Sequence, residues 1–96
     1  MARTKIVATI GPSSSSPETI RRMLHSGMTV ARVNFSHGDH ESHRKTINTL
    51  RRVSQEEGKV LAIMGDLQGP KIRLGNIRAS GIPLKTGDEI VLTPHP

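Results

Sequence analysis

A chain of 96 residues with 33% hydrophobic content, a formal charge of +6 and no cysteine is excluded from several classes at once. Without thiols it builds neither a disulfide framework nor a thiolate metal site, and no run approaches the roughly 18 apolar residues of a membrane span. The positive charge favours anionic partners, but with Phe35 as the single aromatic and no Tyr or Trp the chain lacks the stacking rings that nucleic-acid binders use.

The basic start Met1-Ala2-Arg3-Thr4-Lys5 leads into a short apolar run that stops at Gly11-Pro12, so it is no signal peptide. A soluble cytoplasmic protein that engages neither membrane nor nucleic acid is the expectation. Lys5 to Ile10 is rich in β-branched residues and predicts a buried strand of parallel type. Ser13 to Ser16 form a polar loop, and Ser16 before Pro17 suits an N-cap followed by proline at the first helical position. Ile20, Met23 and Leu24 recur at helical spacing, and Gly27 is placed to stop that helix. A second strand is predicted over Thr29 to Phe35. Asp39 caps a second helix, His40 to Glu57, whose apolar stripe is Ile47, Leu50 and Val53 and whose stop is Gly58. Val60 to Met64 reads as a third strand.

Strand, helix, strand, helix, strand with short connections predicts βα units on a parallel sheet. After Pro70 the texture changes to short strand-like pieces, Ile72-Arg73-Leu74, Ile82-Pro83-Leu84 and Glu89-Ile90-Val91-Leu92, separated by glycines. A domain boundary is therefore placed there, giving one unit over 1–69 and the start of another over 70–96.

In α/β sheets and barrels ligands gather at the carboxyl ends of strands. Alternation along the second strand puts Arg32, Asn34 and Ser36 on one face and Val33 and Phe35 on the other. That polar face reads either as a hydrogen-bonded network closing the layer or as an anion site built on the fork of Arg32. Asp66, Asn34 and Ser36 offer oxygens that suit a hard cation, while Asp66 has the alternative of pairing with Arg32 or Lys71. Lys71 and Arg73 lie two apart and share a side of an extended segment. His37, His40 and His43 drift around a helix rather than converging on a metal, and His40 and His43 are expected at the surface. Ser13 to Ser16 is not followed by the Gly-Lys-Ser/Thr of a P-loop.

Three segments taken together, Lys5-Ile6-Val7-Ala8-Thr9-Ile10-Gly11-Pro12, Arg32-Val33-Asn34-Phe35-Ser36-His37-Gly38 and Asp66-Leu67-Gln68-Gly69-Pro70-Lys71-Ile72-Arg73, resemble the opening of pyruvate kinases in order and spacing. The resemblance implies the first βα units of a (β/α)8 TIM barrel, followed by the start of a small inserted β-barrel domain. It implies phosphoryl transfer from phosphoenolpyruvate to ADP, giving pyruvate and ATP in glycolysis. Carried over residue by residue, Arg32 matches the phosphoenolpyruvate phosphate ligand. Asn34, Ser36 and Asp66 match side-chain ligands of the monovalent cation, with Leu67 offering a backbone carbonyl. Asn34, Phe35, Ser36 and His37 belong to the nucleotide-contacting turn, and Arg73 reaches the nucleotide phosphates.

Two departures qualify that picture. Lys71 stands where potassium-dependent members carry glutamate, so its ammonium is expected to replace K+ and make the complete enzyme potassium-independent. The catalytic lysine and the acidic Mg2+ ligands belong to later barrel strands, so this chain is expected to be inactive alone, to associate or stay partly unfolded, and to belong to a homo-oligomeric parent. The competing readings are a non-catalytic βα module that binds a phosphorylated ligand or a partner chain, and a small basic nucleic-acid binder.

Overall fold

The computed structural model describes residues 3–95. Its elements run β1 (Val7–Thr9), α1 (Pro17–His25), β2 (Val30–Asn34), α2 (His40–Glu56) and β3 (Ala62–Asp66). The strands form a parallel sheet in the order β1-β2-β3. Register sets Thr9 beside Arg32 and Asn34 beside Asp66.

Each helix begins and ends where local chemistry dictates. The Ser16 hydroxyl accepts the Thr19 N–H and Pro17 opens α1. Asp39 and Ser42 close a reciprocal capping box at the start of α2, the Ser42 N–H reaching the Asp39 carboxylate at 2.7 Å. That bond holds the Asp39 carboxyl below its ordinary range. Both helices stop before a glycine in the left-handed region, Gly27 at φ 114° and Gly58 at φ 61°.

Alternation along β2 then decides the core. Ala31 and Val33 are buried against Ile20 and Leu24 of α1 and Leu50 and Val53 of α2, with Ile10 and Met28 completing the cluster. Both helices therefore cover the same sheet face. Ile20, Val33, Leu50 and Val53 are the largest fully buried side chains, and each contributes about 1.5–3 kcal/mol of burial. Across the helix pair the Arg21 Nε donates to Glu57 at 2.9 Å, a second guanidinium nitrogen pairs with Glu56, and His25 meets Glu57 at 2.7 Å. The Glu56 hydrogen bond is the main reason that Arg21 is held still more firmly protonated.

Two expectations are corrected. The third strand starts and ends two residues later than predicted, because pairing with β2 extends it to Asp66. The strand-like pieces beyond Pro70 form no strand among the described residues. An isolated extended piece has no neighbour to take its backbone hydrogen bonds. The bonds recorded in this stretch are instead local turns, such as Gly81 N–H to Arg78 O at 2.8 Å and Asp88 N–H to Lys85 O at 3.1 Å. Leu67, Ile72 and Val91 are 77%, 106% and 85% exposed. The chain is consequently elongated, with a radius of gyration of 18.2 Å where a compact chain of this length would have about 12–13 Å.

Candidate functional site

The sheet face opposite the helices carries the polar row. Arg32 and Asn34 alternate with buried Ala31 and Val33, so their side chains emerge on the face that no helix covers. Parallel pairing then brings the carboxyl ends of all three strands to one edge, with Thr9, Arg32, Asn34 and Asp66 as neighbours.

Arg32 is the hub of that edge. Its Nε donates to Asp66 Oδ2 at 2.9 Å, Nη2 pairs with the same oxygen, and Nη1 donates to Thr9 Oγ1 at 3.1 Å. A guanidinium has five N–H groups in a planar fork, so one hydrogen on each terminal nitrogen is left for an incoming anion. Among the described residues Asp66 pairs with Arg32 and not with Lys71, which decides between the two partners the sequence allowed. The sequence alone assigns no role to Thr9; the Thr9–Arg32 register gives it one, as acceptor for the guanidinium.

The turn after β2 is ordered by its own side chains. Asn34 Oδ1 accepts the Ser36 N–H at 3.0 Å, and the Phe35 N–H reaches the Asp66 carbonyl at 3.0 Å. The Phe35 ring lies over Gly65, where a Cβ would approach it to 2.9 Å, and it contacts the His43 ring with centroids 4.6 Å apart. The sequence places His43 at the surface, and the structure corrects this: the ring is half-buried under Phe35, and among the described residues its Nε2 is enclosed with no hydrogen-bond partner. His40 is exposed, as is His37 in the turn. A cavity of about 520 Å3 opens beside this turn, lined by Thr9, Pro12, Asn34, His37 and Ser42 among others.

The remaining predicted residues stand apart. Ser36 sits in the turn next to Asn34, whereas Leu67, Lys71 and Arg73 are exposed in the irregular stretch after β3. Neither Lys71 nor Arg73 makes an ion pair among the described residues. No group of three His, Asp or Glu side chains converges among the described residues. No helix is long and apolar enough to cross a membrane.

A parallel layer that covers one sheet face with helices and holds an arginine fork at the carboxyl ends of its strands defines an α/β protein with a polar strand-end edge. The chain belongs to the pyruvate kinase family, because the family profile described as the pyruvate kinase barrel domain matches residues 1–95. It is 52% identical over 91 residues to the pyruvate kinase of Thermococcus litoralis, covering 95% of this chain and 19% of that protein. To the pyruvate kinase of Chlamydia muridarum it is 50% identical over 93 residues, covering 97% and 19%. To that of Staphylococcus aureus it is 46% identical over 93 residues, covering 97% and 16%. The chain therefore spans about one fifth of the length of the relatives it matches.

Proposed function

We propose that this chain supplies the opening strands of a pyruvate kinase (β/α)8 barrel, with 1–69 in the barrel and 70–96 starting the inserted β-domain. The assembled enzyme then transfers the phosphoryl group of phosphoenolpyruvate to ADP. The observation that carries the reading is the Arg32 fork, fixed by Thr9 and Asp66 with two donor hydrogens unspent. Phosphoryl transfer asks the protein mainly for positioning and charge neutralisation. An arginine pre-oriented by two neighbouring strands supplies both, because its planar fork loses little freedom when it meets phosphate. In a closed barrel the helix-free face would be interior. That accounts for Val7 and Met64, 52% and 40% exposed here beside polar Thr9, Arg32 and Asn34.

The cavity beside Asn34 and His37 is the site we assign to the nucleotide, with Arg73 approaching from the irregular stretch. Asn34, Ser36 and Asp66 fit a monovalent cation: Asn34 and Asp66 are oxygen donors at paired strand ends, Ser36 adds a hydroxyl from the turn after β2, and among the described residues Asp66 Oδ1 carries no hydrogen bond. Leu67 follows directly and would add its carbonyl. Such a cation supplies positive charge near the transferring phosphoryl group, a role that Lys71 is placed in sequence to take over.

The test is a coupled assay for pyruvate formation from phosphoenolpyruvate and ADP with Mg2+. It is run on the chain alone and then mixed with the complementary remainder of a related pyruvate kinase. Silence alone and turnover on mixing are expected, with Arg32→Lys complementing at least tenfold less well because an ammonium cannot reproduce the fork (roughly 1.4 kcal/mol per tenfold). Turnover by the chain alone, or full activity with Arg32→Lys, would refute the assignment.

A further inference from the structure

We propose a second anion site in the groove between the serine loop and α2, one that takes a phosphate monoester or a comparable small dianion. The open groove has a volume of about 720 Å3; it adjoins the cavity beside Asn34 through Pro12 and Ser15 but contains none of Thr9, Arg32, Asn34 or Asp66. One wall is a face of α2 on which Arg44, Lys45, Asn48 and Arg52 follow one another at helical spacing. The opposite wall is the loop between β1 and α1, with Ser13 and Ser15.

Two features make this a receptor for negative charge rather than a solvated helix face. First, the cations are under-neutralised. Arg52 reaches Glu56 only at 3.8 Å, and that carboxylate is already taken by Arg21. Arg44 and Lys45 make no ion pair among the described residues, and the only carboxylate lining the groove is Glu41. Three positive side chains around one concavity repel each other, and an anion placed among them removes that repulsion.

Second, the four serines divide into two kinds. Ser14 accepts the Gly11 N–H at 2.9 Å and Ser16 caps α1, so both are consumed by the loop's own structure. Among the described residues the Ser13 hydroxyl makes no hydrogen bond, and that of Ser15 reaches only the Pro12 carbonyl, at 3.5 Å. Ser13 and Ser15 are thus spare donors across the groove from the cations, and the Asn48 amide is a further donor beside those cations on α2. A dianion with several acceptor oxygens matches that set: charge from Arg44, Lys45 and Arg52, and hydrogen bonds from the two serines and the amide. A monocarboxylate would engage only part of it.

The site is tested by titrating the isotopically labelled chain with inorganic phosphate and with glycerol 2-phosphate, following backbone amide resonances. Saturable shifts are expected at Ser13, Ser15, Lys45 and Asn48. The double variant Arg44→Gln with Lys45→Gln is expected to bind roughly tenfold more weakly, while Arg32→Gln leaves these shifts unchanged. Both replacements sit on the exposed face of α2 and glutamine matches their helix propensity, with helicity checked by circular dichroism. Should that double variant lose its helix signal, the single variants Arg44→Gln and Arg52→Gln carry the comparison. Shifts that never saturate, affinity undiminished in the variants, or binding abolished by Arg32→Gln would each overturn the proposal. Failure of the phosphoenolpyruvate assignment would instead appear at Arg32 and Asp66 and leave the groove resonances as they are.

Discussion

Gly38 is the residue on which the turn between β2 and α2 depends. Its φ of 75° lies in the left-handed region, and an added Cβ would stand 3.0 Å from Ser42 Oγ and 3.3 Å from the His43 ring. Gly58 shares the conformation at φ 61° but has nothing within 4 Å of the same position. The pair separates backbone strain from crowding. An L-residue in the left-handed region costs about 1–2 kcal/mol, the whole expected effect of Gly58→Ala. Gly38→Ala adds displacement of Ser42 and His43, about 1 kcal/mol more at the low end of overpacking, for a total of about 2–3 kcal/mol. Urea unfolding followed by far-UV circular dichroism on the parent and both variants measures this. All three are held in the same concentration of trimethylamine oxide so that each folds fully before the transition. If Gly38→Ala costs no more than Gly58→Ala, the packing of the turn on Ser42 and His43 is wrong.

Leu50→Ala, at a fully buried core position of α2, should cost about 2–5 kcal/mol and abolish the cooperative urea transition; Arg51→Ala on the exposed side should stay within about 0.5 kcal/mol. Because the Ser42 N–H lowers the Asp39 carboxyl below its ordinary 3.8, the stability it contributes is present above that value and is lost as pH falls through the lower folded value. An acid titration of the helix signal should therefore show a loss below about pH 4 that Asp39→Asn removes, and an unchanged profile in that variant would count against the cap. In the complete enzyme, replacing K+ by Na+ should leave turnover intact while Lys71→Glu creates potassium dependence. Collapse of the parent's activity in Na+ would end the idea that Lys71 supplies the charge.

What the sequence made legible was local, and what it hid depended on pairing. Ser16, Asp39, Gly27 and Gly58 act within a few residues of themselves, so their caps and stops could be read directly. The same holds for the face alternation of Arg32 and Asn34 along β2. The two-residue shift of β3 was not readable, because Val60 and Leu61 are as strand-like as Ile63 and only registration against β2 extends the strand to Asp66. For the same reason the partner of Asp66 stayed open until β2 and β3 were aligned. His43 looked like a surface helix residue because helical spacing ignores what crosses over it. The Phe35 ring, drawn towards α2 over the bare backbone of Gly65, covers it. The strand-like pieces beyond Pro70 have strand-forming residues but pair into no sheet among the described residues.

Alignment of the strands also changes what Asp66 can do. From sequence its uses as partner of Arg32 and as cation ligand competed for one carboxylate. In the structure both guanidinium nitrogens converge on Oδ2, which leaves Oδ1 on the other side. The two uses are then compatible in geometry but opposed in charge, since a bound cation and the Arg32 guanidinium would flank a single negative group. A phosphate dianion arriving at the two spare hydrogens of Arg32 removes that opposition, so anion and cation should each strengthen the other's binding by the same factor. A tethered ammonium in place of a free cation would supply the charge without a separate capture step. Lys71 is suited to this because it follows β3 closely and has no ion pair to break among the described residues. The coupling therefore discriminates between the two arrangements. Where Lys71 supplies the charge, added K+ leaves the anion affinity at Arg32 unchanged, and where it does not, K+ raises that affinity.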